Sequence, residues 1–200
     1  MPRIIGEGVL IMAFKKEIEV IIEPRDVFVG DEDAPVTLME FGEYENEACA
    51  KANEVVKQLL EQYDGKLKFN FRHFPQTRIH QRSLKASEAA VAAVQDGKFW
   101  EMHNILFQNR RQLGTVSLKL HSKEAGISNK KFLEDLVNGK YGWQVQDDLK
   151  EGIDRGVKEI PAFFINNEPF TGKPNFENLS KEIANAIKKA KRKSPERKRA

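Results

Sequence analysis

Cysteine is almost missing from these 200 residues: Cys49 stands alone. A single thiol excludes an intrachain disulfide and any cysteine-rich zinc site. Long apolar runs are missing as well; none approaches the roughly 18 residues that a membrane-crossing helix needs. With 13 glycines and 8 prolines, the chain is neither collagenous nor low-complexity. Glycine-rich phosphate loops, G-x-S-x-G elbows and H-E-x-x-H metal motifs do not occur. His73, His80, His103 and His121 show no paired ligand spacing, so no metal is expected.

What is present describes a globular chain. Hydrophobic residues make up 40% and charged residues 32%, enough for one domain with a sizeable core. The net charge of +3 is unevenly spread. Lys188 to Ala200 holds eight basic residues and one acidic one, so this stretch carries +7 and the other 187 residues carry −4. Such a tail reads first as a solvated terminus and second as a weak contact for anionic partners. Near the start, Ile4, Ile5, Val9, Leu10, Ile11, Met12 and Phe14 are apolar, but Glu7 interrupts them and no small-residue cleavage site follows. The expectation is a cytoplasmic location.

Hydrophobic periodicity gives the organisation. Ile18, Val20 and Ile22 suggest an edge strand closed by Pro24, inside an N-terminal extension of residues 1–26. Val36 to Phe41 is almost continuously apolar, as in a strand covered on both faces. A helix follows from about Glu47 to Tyr63, with Ala48, Ala52, Val55, Val56, Leu59 and Leu60 at helical spacing. Leu67, Phe69, Phe71 and His73 then alternate with polar residues, which predicts a second strand. Residues from about 81 to 156 read as a block of helices, with Ser128 as the N-cap of the segment through Val137. After Ile160-Pro161, a strand over residues 162–165, a turn at Asn166-Asn167-Glu168 and a brief return strand over residues 169–171 lead to a closing helix, residues 176–190. Residues 191–200 form the basic tail. The order βαβ, helices, ββα is that of an α/β thioredoxin fold with an all-helical insertion, over residues 27–190.

Four stretches resemble the DsbA-like branch of the thioredoxin superfamily: Asp33 to Phe41 its first central strand, Arg72-His73-Phe74-Pro75 the end of the second, Gly97 to His103 a signature of the insertion, and Ile160 to Asn166 the cis-proline loop. The resemblance implies thiol–disulfide oxidoreductase relatives with Cys-x-x-Cys at the start of the first helix. Here Asn46 stands where the attacking cysteine belongs, and Cys49 where the resolving one does. A helix-terminal thiol is activated by the macrodipole and by unpaired N–H groups, and a second thiol then resolves the mixed disulfide. An amide does neither. Asparagine is instead a favoured N-cap, with Glu47 beside it in the first turn.

Two classes of function follow. One is a binding module without dithiol turnover, taking an extended peptide or a small thiol in a groove formed by Asn46, Glu47, Ile160 and Pro161. The other is an enzyme acting through Cys49 as a monothiol, as a thiol–disulfide oxidoreductase or as a glutathione-dependent transferase or isomerase. No cofactor is required by the first; glutathione would serve the second. A Cys49 three residues into the helix is expected to face inward as a small hydrophobe.

Overall fold

The structure, a computed structural model, describes residues 22–193. Ile18 and Val20 of the expected edge strand, and the tail beyond residue 193, lie outside the described residues; Ile22 itself has no strand geometry. Pro24 opens a 3-10 turn, Pro24–Asp26, where its fixed φ and missing N–H suit a first helical position.

Five strands form one sheet: β1 (Val29–Gly30), β2 (Val36–Gly42), β3 (Leu67–His73), β4 (Ala162–Ile165) and β5 (Glu168–Pro169), in the order β1-β3-β2-β4-β5. β2 and β3 are parallel, with Val36 opposite Leu67 and Gly42 opposite His73. Helix α1 (Glu47–Gln62) makes the crossover between them. β4 runs antiparallel to β2, with Phe41 opposite Ala162. The edge strand β1, which the sequence pattern did not reveal, is two residues long and pairs with β3. The mixed βαβ–ββα order confirms the thioredoxin architecture. The chain turns between β4 and β5 at Asn166 and Asn167, both at positive φ (50° and 69°), a conformation asparagine tolerates in tight hairpins. The return strand is therefore Glu168–Pro169, earlier than the expected Pro169–Thr171.

Between β3 and β4 come five helices: α2 (Ser83–Val94), α3 (Phe99–Gln108), α4 (Thr115–Glu124), α5 (Phe132–Val137) and α6 (Gly142–Asp154). α2 is the hub of this block. Its Ala86, Ala89, Ala90 and Ala93 are all buried, and their small side chains let α3, α5 and α6 approach on several sides. Ser128 does not cap α5: its hydroxyl donates to Asp96 (3.3 Å), while Asn129 accepts from the Lys131 N–H (2.9 Å) just before the helix. Helix α5 is entered through Lys131 and has no side-chain cap. The closing helix α7 (Phe176–Lys193) runs beyond its expected end. Leu179, Ile183 and Ile187 bury one face of it, and Leu179 and Ile183 alone contribute roughly 3–6 kcal/mol of apolar burial.

The sheet divides two clusters. Val36, Leu38, Leu67, Phe69 and Phe71 join α1, α3 and α7 in the main core, and Phe41, Phe74 and Phe164 form a smaller one on the other face. α6 closes over the small cluster at Gly152. A Cβ there would lie 2.6 Å from Phe74 and 3.0 Å from Phe41, so only glycine permits the approach.

Candidate functional site

β2 and β3 end side by side, and the loop from Glu43 to Asn46 leaves that end to start α1. Asn46 has extended backbone (φ −77°, ψ 128°), and its side-chain oxygen accepts from the N–H groups of Ala48 (2.8 Å) and Cys49 (3.1 Å). This is an N-cap, and it consumes donors that would otherwise face a ligand or a thiolate. Glu47 is exposed, bonds Lys51 (2.9 Å) and Arg110 (3.0 Å), and is held below the usual carboxylate range first by the Lys51 hydrogen bond. The Cys49 side chain points inward and has no solvent exposure. Burial pushes its thiol far above the ordinary range, and the nearby Glu40 adds to the rise.

Ile160 and Pro161 arrive at the same end of the sheet from the other side. The Ile160–Pro161 peptide bond is cis, and both residues are half-buried. Since Phe41 faces Ala162 in the β2–β4 register, Pro161 comes next to Gly42, where β2 gives way to the Asn46 loop. The strand ladder stops at Ala162, so the backbone of Ile160 lies just outside it. The topology thus places the predicted residues around one end of β2, with Cys49 beneath the surface. A cavity of about 750 Å³ lies elsewhere, between the β4–β5 hairpin and α7, lined by Phe170, Asn178, Lys181 and Asn185 among others.

Several buried polar groups beneath the site escape periodicity arguments. Glu40 is buried in mid-β2, neither carboxylate oxygen has a hydrogen-bond partner, and burial raises its pKa well above the usual range. A lone acid in an apolar strand was the signal for it. Tyr44, raised by burial and then by Glu40 and Asp148, bonds His103 Nδ1 at 3.1 Å. Burial, with His73 and Lys57 contributing, keeps His103 neutral; its Nε2–H donates to Asn53 (3.1 Å), which leaves Nδ1 to accept the tyrosine hydroxyl. Phe71, Phe99 and Phe107 pack around that imidazole with ring centroids 4.7–5.8 Å away. His73 and His103 are both held in the interior by hydrogen bonds and ring packing.

Arg72 is buried at the end of β3, where Asp148 accepts from its Nε (2.6 Å) and Glu151 bonds its Nη2. Asp148 also accepts from the His73 N–H and bonds His73 Nδ1, both at 2.9 Å. Burial works against the Asp148 carboxylate, but the His73 hydrogen bond and the Arg72 charge hold it below its usual range. At the rim, the buried Glu43 carboxylate accepts from the Gln76 N–H (2.7 Å) and bonds His80 Nδ1. Sequence separation concealed both networks: α6 lies 76 residues from Arg72, and His80 lies 37 from Glu43. Among the described residues, no group of three or more His, Cys, Asp or Glu side chains is placed to hold a metal ion.

This geometry agrees with a profile match. The thioredoxin family profile matches residues 23–185. The chain belongs to the thioredoxin family. Its fold is DsbA-like: BdbD from Bacillus subtilis, in its oxidised form, superposes with a TM-score of 0.75 at 21% identity, covering 83% of this chain and 93% of that one. The thiol-disulfide exchange protein alpha-DsbA2 from Wolbachia pipientis superposes with a TM-score of 0.68 at 23% identity, covering 79% and 85%. In sequence, the chain is 30% identical over 176 residues to the Na+/H+ antiporter NhaA 3 of Salinispora tropica, which covers 88% of this chain but 27% of the antiporter. The chain thus spans about a quarter of the length of such relatives. Among the described residues, no helix is long and apolar enough to cross a membrane.

Proposed function

We propose that this DsbA-like thioredoxin-fold protein is a binding module without dithiol redox turnover, and that its ligand is an extended peptide or a small thiol lying between Asn46 and Pro161. The burial of Cys49 carries the reading. A thiol must reach its partner's sulfur and must ionise to attack it. Cys49 has no exposure, and its surroundings oppose ionisation. The position one turn earlier, where a nucleophile would sit, is occupied by a capping amide. Monothiol or glutathione-dependent chemistry at Cys49 has the same burial against it.

Binding needs none of this chemistry. β4 leaves the ladder at Ala162, so the backbone around Ile160 is free of strand pairing beside the Asn46 loop. An extended peptide can pair with such a backbone in the manner of an added strand, with pockets on either side reading its side chains. Insulin reduction by dithiothreitol tests the absence of turnover. The wild-type protein should leave the rate at that of the no-protein control, whereas Asn46→Cys, which restores a thiol at the start of α1, should raise it. Multiple turnover by the wild-type protein would contradict the reading.

A further inference from the structure

The rim of the groove carries a charge pattern that the fold does not use. The segment after β3 is drawn against the Asn46 loop at two points: Glu43 holds the Gln76 N–H and His80, and Glu45 accepts from the Arg82 N–H at 3.0 Å. The turn between these points is tight, with the Gln76 carbonyl accepting from the N–H groups of both Ile79 (3.0 Å) and His80 (2.9 Å). Arg78 lies in this turn and Arg82 at the second anchor, and both are exposed. From the other side, Arg110 reaches Glu47 and Arg111 lies within electrostatic range of the same carboxylate.

The acids here are already engaged: Glu43 is buried, Glu45 accepts a backbone N–H, and Glu47 is shared between Lys51 and Arg110. Arg78, Arg82 and Arg111 are exposed and make no side-chain hydrogen bond or ion pair among the described residues. Arg78 and Arg82 on one side, and Arg111 in range of Glu47 on the other, thus flank the loop that leads into Asn46. Across it, just before Ile160, Lys158 and Glu159 are both exposed and cancel in charge. Guanidinium pairs with carboxylate in a planar, two-point geometry, and charge complementarity at a rim sets partner choice and encounter rate.

Building on the reading of this site as a peptide groove, we infer that its partner is an acidic peptide segment, whose Asp and Glu side chains are read by Arg78, Arg82 and Arg111. His80 is a positioning residue: its bond to Glu43 fixes the turn that carries Arg78.

Fluorescence anisotropy with two degenerate pools of labelled dodecapeptides, acetylated and amidated at their ends, tests this. One pool carries Asp or Glu at alternate positions; the matched pool carries Asn or Gln there. The acidic pool should bind at least tenfold more tightly at 50 mM salt, and its advantage should shrink as salt is raised. The triple variant Arg78→Ala, Arg82→Ala, Arg111→Ala should lose that advantage with its melting temperature unchanged. A variant with Lys188, Lys189, Lys191 and Arg192 replaced by Gln should keep it. Equal binding of both pools, unaffected by the triple variant, would overturn the inference while leaving the groove intact. Loss of binding in the Gln variant alone would move the contact to the end of α7 and also overturn it. Binding of neither pool would overturn this inference and the peptide-groove reading together.

Discussion

The side-chain oxygen of Asn46 accepts a hydrogen bond from the backbone N–H of Cys49, 3.1 Å away. The capping amide thus satisfies the backbone of the one residue in this chain that carries a thiol. The same N–H groups that stabilise a thiolate at a helix start are occupied by a neutral amide. Asn46 therefore supplies no nucleophile itself and closes part of the electrostatic device that would activate a thiol at this helix start.

Because the cap replaces two orphan donors' partners at once, Asn46→Ala should destabilise the protein by about 1 kcal/mol. Chemical denaturation should show the midpoint falling with an unchanged slope. A stability equal to wild type would mean that water serves those donors equally well.

Glu40 and His103 give stability a characteristic pH profile. The folded-state pKa of Glu40 is raised, so its contribution is complete below the ordinary value of 4.5 and is lost as pH rises above it, by at most about 1.4 kcal/mol per pH unit. The folded-state pKa of His103 is depressed, so its contribution is complete above the ordinary 6.5 and is lost as pH falls below it. The two slopes oppose each other between these values. Glu40→Gln should therefore lose less stability than wild type as pH rises above 4.5, read as the difference between the two melting-temperature profiles. An identical profile in the variant would show that Glu40 is ionised in the folded protein.

Asp148 joins β3 to the helical block through two partners, Arg72 and His73. Asp148→Ala would strand a buried guanidinium, whose side chain is 4% exposed, beside the remaining Glu151. The expected loss is about 3–5 kcal/mol, the cost of breaking a buried pair from one side. Its depressed pKa puts the corresponding acid sensitivity below the ordinary 3.8, where stability is lost as pH falls. A loss under about 1 kcal/mol in urea denaturation would show that Glu151 alone neutralises Arg72.

The fold was legible in the sequence wherever one residue's neighbours in space are its neighbours in period. The apolar run of β2, the alternation of β3 and the 3.6-residue stripe of α1 each declare which face is covered. Residues 29–30 of β1 are too short for any period, so that strand appears only when β3 is there to pair with it. Ser128 was misread as a cap because a hydroxyl ahead of an apolar run suggests a helix start, whereas it donates to Asp96 and α5 begins only at Phe132 without a side-chain cap. At the site, the resemblance pointed to Asn46 and Pro161, while the capping role of Asn46 and the inward face of Cys49 followed from local helix geometry. The Glu43–His80 and Arg72–Asp148 pairs did not, since their members meet only through the packing of the helical block.

Cys49 offers the most direct test of the account. Titration of the native protein with an aromatic disulfide reagent, alone and with glutathione present, should release no chromophore on the timescale of minutes; the same protein in denaturant should release one equivalent. Both outcomes follow from a thiol that has no solvent exposure and whose ionisation is opposed by burial. One equivalent released at once from the native protein, or a mixed disulfide with glutathione formed without denaturant, would contradict the account and assign the chemistry to Cys49.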